Sequence, residues 1–244
     1  MKTALITGSA RGIGRDLALC LARGNYNLIL NTGHNEEALI TLKEEIIGIT
    51  EDPDSCIISV GDIGDYNYVK SLIDTALKKF GQIDVLINNA GISYIGLLTD
   101  MSADDINRVI STNLTGAIYT SRAVIPSMVH KKCGHIINVS SMWGIVGASC
   151  EAVYSATKGG LNAFTKALAK ELAPSSIRVN ALTLGVIDTD MNKCFSEEER
   201  TELAEEIPMG RMARPSEVAE MILHIIESPE YLTGAVIDFD GGWI

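Results

Sequence analysis

The chain has 244 residues, 46% of them hydrophobic and 21% charged, and carries a formal net charge of −11. That balance buries a sizeable core, and no Pro/Gly/Ser-rich linker or internal repeat divides the chain, so one domain over residues 1–244 is expected. The acidic field argues against nucleic acid and anionic membrane surfaces as partners, and no run of about 18 apolar residues is present to span a membrane.

Short apolar runs alternate with helical patterns along the chain. Residues 3–7 read as a strand, 13–23 as a helix, 27–32 as a second strand and 36–49 as a charged helix. Residues 55–60 form a third strand. Val69, Leu72, Ile73, Ala76, Leu77 and Phe80 then mark one helix face at the 3.6-residue period. Residues 83–88 are a fourth strand, 103–131 one long helix, 135–139 a strand, 153–173 a helix and 177–182 a strand. Pro215 opens a further helix, where a first-turn proline costs nothing, and 235–239 is the last strand. Strands alternating with helices predict right-handed βαβ crossovers. The expected fold is α/β: a Rossmann-like, doubly wound parallel sheet in three αβα layers, with Val/Ile/Leu-rich strands buried on both faces. Ligands in such sheets bind beyond the carboxyl ends of the strands, so residues just after strands are the candidates.

The first such stretch is Thr7-Gly8-Ser9-Ala10-Arg11-Gly12-Ile13-Gly14. Gly8 permits a tight turn, Gly12 lets backbone approach a pyrophosphate, and Gly14 lets helix pack closely on strand. The helix start adds free N–H groups and a positive dipole end. Five cysteines (20, 56, 133, 150 and 194) and four histidines have neither redox nor metal-ligand spacing. No metal is expected, and reduced thiols fit a cytoplasmic protein.

A second group of residues carries proton chemistry. Tyr154 and Lys158 are four apart in a predicted helix and share a face. An ammonium beside a phenol pulls its pKa down towards the operating pH, where it can give and recover a proton. Ser141 follows the fifth strand and can hydrogen-bond a carbonyl oxygen as charge develops on it. Asn113 lies on an apolar helix stripe with Ile106, Val109, Ile110 and Ala117 and needs a partner there, either as a satisfied core amide or as a helix-bending residue. Cys150 and Glu151, just before Tyr154, are expected to line the substrate pocket.

In order, the glycine-rich turn, Asn88-Asn89-Ala90-Gly91, Asn113, Ser141 and Tyr154-Ser155-Ala156-Thr157-Lys158 resemble the short-chain dehydrogenase/reductase family along the whole chain. The resemblance implies hydride transfer between a nicotinamide cofactor and a carbonyl carbon, with Asn113, Ser141, Tyr154 and Lys158 as catalytic residues. Tyr154 would protonate the oxygen, Lys158 would also bind the nicotinamide ribose, and Asn113 would hold a water in a proton relay. It further implies cofactor contacts from Gly8, Ser9, Arg11, Gly12, Ile13 and Gly14, then from Thr32, Asp62 and Ile63, and then from Asn89, Ala90 and Gly91. Residues 182–189 resemble the family's nicotinamide clamp, with contacts from Val186 and Thr189; Leu184 stands where the family has proline. After the second strand, Asn31-Thr32-Gly33-His34-Asn35 offers no acid to the adenosine ribose, and Arg11 is placed to meet a 2′-phosphate, so NADP(H) is expected over NAD(H).

Residues 190–210, with Met191, Phe195 and Met209, resemble the family's substrate lid, and Ser196-Glu197-Glu198-Glu199-Arg200 starts like a capped helix. Gly234 and Asp240-Gly241-Gly242 resemble the tail of β-ketoacyl-acyl-carrier-protein reductases. Lys131 and Lys132 fall in a region those enzymes use to dock an acidic carrier beside the active site, while Pro174-Ser175-Ser176 lacks the arginine of a second such region. Trp143-Gly144, Gly147-Ala148-Ser149-Cys150-Glu151 and Ala169-Lys170-Glu171-Leu172-Ala173-Pro174 are similar to reductases that finish a lysine modification on elongation factor P. The expected activity is therefore NADPH-dependent 3-oxoacyl-[acyl-carrier-protein] reduction in fatty acid synthesis. The alternatives are the elongation factor P ketone, another small-molecule alcohol, or a dinucleotide sensor without catalysis. Trp143, Cys150, Glu151 and Met191 would line the substrate pocket. The resemblance also implies a homotetramer or homodimer built on the long helices and the last strand.

Overall fold

The computed structural model describes residues 1–190 and 196–244. Its strands are β1 (Lys2–Ile6), β2 (Tyr26–Thr32), β3 (Cys56–Val60), β4 (Val85–Asn88), β5 (Gly134–Ser141), β6 (Ile177–Leu184) and β7 (Val236–Phe239). They form one parallel sheet in the order β3-β2-β1-β4-β5-β6-β7, so the predicted doubly wound α/β architecture is the one observed. The winding direction reverses between β1 and β4, and a crevice opens at their carboxyl ends.

The helices are α1 (Gly12–Arg23), α2 (Glu36–Thr50), α3 (Tyr66–Phe80), α4 (Ala103–Ile110), α5 (Gly116–Lys131), α6 (Trp143–Val146), α7 (Ala152–Leu172), α8 (Glu197–Glu206) and α9 (Pro215–Glu227). Successive strand residues point to opposite faces, which sorts the core into two layers. Ile6, Leu28, Leu30 and Ile137 pack with Leu17 of α1, Leu39 of α2 and Ile222 of α9. Leu5, Ile29, Leu86 and Ile136 pack with Leu72 of α3, Val124 of α5 and Leu168 of α7. The α8 start is capped as expected, with Ser196 Oγ accepting from Glu199 N at 3.2 Å and the Glu199 carboxylate accepting from Ser196 N at 2.7 Å.

Two boundaries differ from expectation near the crevice. Strands β5 and β6 run on to Ser141 and Leu184, which are paired in register. The helix expected over 103–131 is interrupted by a π-helical turn at Ser111–Thr115. Behind the crevice a buried polar group replaces apolar packing. Asn88 Nδ2 donates to Asn138 Oδ1 at 2.8 Å, Thr120 Oγ1 donates to Asn88 Oδ1 at 2.6 Å, and Asn138 Nδ2 donates to Thr165 Oγ1 at 2.8 Å. These bonds tie β4, β5, α5 and α7 together where the helices carry the site.

His135, early in β5, is buried with its Nε2 accepting from Asn180 Nδ2 at 3.0 Å, while Nδ1 has no partner among the described residues. Burial, with Arg178 adding, holds the imidazole down at about 3 against an ordinary 6.5. The unfolded chain therefore takes up a proton near 6.5 that the folded chain refuses until about 3. The stability is full above 6.5 and falls as pH drops through that window, by up to about 1.4 kcal/mol per pH unit. Urea unfolding at pH 7.5, 6.5 and 5.5 should show this loss, and His135→Gln should flatten it; an equal slope in both proteins would refute it.

Candidate active site

The site is built around the turn between β1 and α1. Gly8 (φ +65) and Gly12 (φ +54) adopt left-handed backbone that favours glycine. A Cβ on Gly8 would lie 2.7 Å from Ala90 Cα, and one on Gly14 would lie 2.4 Å from the Gly8 carbonyl oxygen and 2.7 Å from Asn89 Nδ2. Turn, helix and the end of β4 are thus packed backbone against backbone. Asn89 fastens this contact, its amide donating to the carbonyls of Thr7 and Gly8, both at 3.0 Å. The backbone N–H groups of Asn89 and Ala90 donate to Thr7 Oγ1 at 3.0 and 3.1 Å.

The residues present fit a dinucleotide pyrophosphate. The N-cap residue, Arg11, makes no side-chain cap bond and no acid lies in the first turn of α1, so among the described residues its first N–H groups and dipole are left to face the crevice. Arg11 is 68% exposed there, with its guanidinium 3.7 Å from Asp190. From the opposite wall, the Thr189 methyl would come 3.4 Å from a Cβ on Gly12. Thr32 ends β2, and a Cβ on the next residue, Gly33, would meet only open space. Exposed Asp62 follows β3 and accepts from Gly64 N at 2.8 Å. The Val186 carbonyl is engaged by Ala213 N at 3.1 Å. Leu184, in the usual proline place, is buried and its carbonyl accepts from Met142 N at 2.9 Å.

Two expected cofactor contacts turn inward. Ser9 is fully buried and its hydroxyl donates to the Asn31 carbonyl at 3.1 Å. The Ile63 side chain belongs to the core and lies against Gly116, where a Cβ would meet it at 2.6 Å. Both residues support the crevice through packing, leaving only their backbone for direct contact. Ile13 packs on the opposite core layer.

Ser141 ends β5, and its Oγ accepts from Trp143 N at 3.2 Å and hydrogen-bonds the Tyr154 phenol. Tyr154 and Lys158 lie one turn apart on α7, with Lys158 Nζ 5.6 Å from the Tyr154 ring centre. The electrostatics correct the expectation for this pair. Burial pushes the Tyr154 phenol up to about 12, with the Ser141 bond opposing and the Glu151 charge adding. Burial also brings Lys158 down to about 8. Lys158 donates to the Val139 carbonyl at 2.8 Å, not to the phenol oxygen, so desolvation outweighs its pull.

Asn113 sits inside the π-helical turn and is almost fully buried. Its Oδ1 accepts from Ile92 N at 2.8 Å, and its Nδ2 donates to Ile92 O at 2.8 Å and Thr157 Oγ1 at 3.3 Å. It is both a satisfied amide and the residue at which the helix departs from α geometry. Gly91 lies between the two groups: a Cβ there would be 3.5 Å from Asn113 Oδ1 and 3.6 Å from Lys158 Nζ.

Trp143 adjoins Ser141, and its ring stands 5.6 Å from that of Trp243. Sequence reasoning missed Trp243, because only the fold of the tail around Asp240, which accepts from Gly242 N and Ile244 N, brings it back to the site. Glu151 Oε1 accepts from Ser93 Oγ, and the Cys150 carbonyl accepts from Gly96 N at 2.9 Å. Cys150 itself is exposed. Met191 and Phe195 lie outside the described residues. A cavity of about 550 Å³ lies beyond Val186, walled by Ile207, Met209 and Phe239, and holds none of Ser141, Tyr154 and Lys158.

Lys131 and Lys132 do not lie beside this centre within the chain. They precede the first residue of β5, with Lys131 donating to Gln82, whereas Ser141 is its last residue. The length of the strand separates them by roughly 25 Å. Among the described residues, no helix is long and apolar enough to cross a membrane, and no cluster of His, Cys, Asp and Glu could hold a metal ion.

A family model described as short chain dehydrogenase matches residues 2–200. An uncharacterized oxidoreductase of Bacillus subtilis (strain 168) is 38% identical, over 99% of this chain and 98% of its own. A 3-oxoacyl-[acyl-carrier-protein] reductase of Thermotoga maritima is 38% identical over 100% of this chain and 98% of its own. Among solved structures, a short-chain type dehydrogenase/reductase from Mycobacterium marinum superposes with a TM-score of 0.92 at 32% identity, covering 99% of this chain and 95% of that one.

Proposed function

Because the chain belongs to the short-chain dehydrogenase family, and is thus an oxidoreductase acting on a carbonyl or hydroxyl group, we propose that it reduces a ketone to a secondary alcohol with NADPH, the ketone being a 3-oxoacyl group on an acyl carrier protein. The observation that carries this reading is the convergence of Ser141, Tyr154 and Lys158 beside the crevice at the glycine-rich turn. The name of the Thermotoga maritima relative supports the substrate. Arg11 and the absence of an acid between Asn31 and Asn35 support NADPH.

Ketone, NADPH and a proton become alcohol and NADP⁺. Bound NADPH supplies the hydride to the carbonyl carbon. Ser141 Oγ donates to the carbonyl oxygen and holds it against the Tyr154 phenol. Tyr154 transfers its proton as charge grows on that oxygen. Lys158, whose pKa lies at about 8, is still an ammonium at neutral pH and stabilises the phenolate left behind. Asn113 fixes Ile92, and with it the wall at Gly91 that shapes the space beside Lys158.

One observation favours a second reading, the ketone-bearing lysine modification on elongation factor P. With Lys131 and Lys132 at the far end of the sheet, carrier docking lacks its expected basic pair within the chain. NADPH oxidation measured with a β-ketoacyl thioester and with the protein-linked ketone separates the two. The thioester should turn over faster, and NADPH should exceed NADH in kcat/KM by about tenfold or more. Faster turnover of the protein-linked ketone would replace the substrate assignment, and inertness towards every ketone with both cofactors would overturn the reaction.

A further inference from the structure

Glu151 is a carboxylate at the start of α7, the helix that carries Tyr154, with no compensating cation among the described residues. It is half-buried, three residues before Tyr154, and its Oε1 accepts from Ser93 Oγ. Ser93 follows Ile92, the residue gripped on both backbone groups by Asn113, so the carboxylate is held in place from a rigid point. No Lys, Arg or His among the described residues lies within salt-bridge distance of Glu151, and Lys158 is committed to the Val139 carbonyl. Its charge already reaches the Tyr154 phenol. A half-buried charge is weakly screened, and exclusion of water by a bound substrate strengthens its field. An aromatic surface, Trp143 against Trp243, stands near Ser141, and aromatic faces also attract cations.

We propose that Glu151 selects substrates by charge, excluding ketones that carry a carboxylate beside the reacting carbonyl and favouring those that carry an ammonium. This rests on the ketone-reductase reading and deepens it. A free 3-oxo acid is rejected where its neutral thioester or amide is accepted, and a protonated amine on the substrate brings a cation to the Glu151 carboxylate that Ser93 holds.

The test uses three ketones: acetoacetate, N-methylacetoacetamide and N-(2-aminoethyl)acetoacetamide. In the wild type, kcat/KM should rise in that order, by about tenfold or more from the first to the last. Glu151→Gln keeps an acceptor for Ser93 and should compress the series to within about threefold, and Glu151→Lys should invert it. Comparing the same compounds in each protein cancels their intrinsic reactivity. A flat series in the wild type, or an order that survives in Glu151→Gln, would overturn charge selection while leaving ketone reduction standing. Failure of the wild type to reduce all three would overturn the ketone-reductase reading itself, and charge selection with it.

Discussion

Tyr154→Phe is expected to lower kcat/KM for ketone reduction by about a thousandfold or more while leaving the Kd for NADPH within about twofold. In the proposed mechanism the substitution removes only the oxygen that gives the proton. The ring stays beside Lys158, and Lys158 keeps its bond to the Val139 carbonyl, so the wall facing the cofactor is retained. Ser141 still holds the substrate oxygen but has no phenol to pass a proton to it. The pH profile adds a second check in the wild type. Lys158 loses its charge as pH rises through about 8, and reduction should fall there because the phenolate left by proton transfer loses its ammonium neighbour. Stopped-flow reduction and NADPH fluorescence titration measure both quantities; turnover within tenfold of wild type would remove Tyr154 from the proton step.

Gly14→Ala is expected to weaken NADPH binding by about tenfold to a hundredfold and to cost about 1–3 kcal/mol of stability. The added methyl would stand 2.4 Å from the Gly8 carbonyl oxygen, a backbone atom that cannot swing aside. Relief requires α1 to move away from the turn, which pulls the Gly8 carbonyl from Asn89 and opens the cradle. The matching control is Gly48→Ala in α2, where a Cβ meets nothing within 4 Å. There the methyl should raise stability by about 0.5–1 kcal/mol, since glycine in a helix interior is the costlier residue. Thermal melts and NADPH titrations of both variants decide it; a Gly14→Ala protein that binds NADPH normally would show that the close packing is incidental.

The strand and helix sequence was legible because buried parallel strands are written in Val, Ile and Leu and the helices between them in the 3.6-residue period. The role of Gly14 and the capped start of α8 were legible for the same local reasons. What escaped was polar or distant. Strands β5 and β6 continue through Ser140, Ser141 and Thr183, whose hydroxyls look like loop chemistry until sheet pairing is seen. The π-helical turn at Asn113 leaves the apolar stripe nearly unchanged, so periodicity does not register it. The inward turn of Ser9 depends on the Asn31 carbonyl of a neighbouring strand. The rise of the Tyr154 pKa depends on how much water the pocket excludes, which residue spacing does not encode. Lys131 and Lys132 are a different case: the resemblance put them beside the site, while the strand read over 135–139 already set them at its opposite end from Ser141.

Five consecutive residues join the two halves of the crevice. Asn89 and Ala90 are pinned to the glycine-rich turn, Gly91 fits between Asn113 and Lys158, Ile92 is gripped by Asn113, and Ser93 holds Glu151. This stretch works as a gauge block: its length sets the spacing between the glycine-rich turn and the corner that holds Asn113, Lys158 and Glu151. Side chains along it can be exchanged with local consequences, but adding or deleting one residue would put every later clamp out of step at once. Inheritable variation in this enzyme is therefore freer in composition than in length here, and new specificities have to be carved from the surrounding walls.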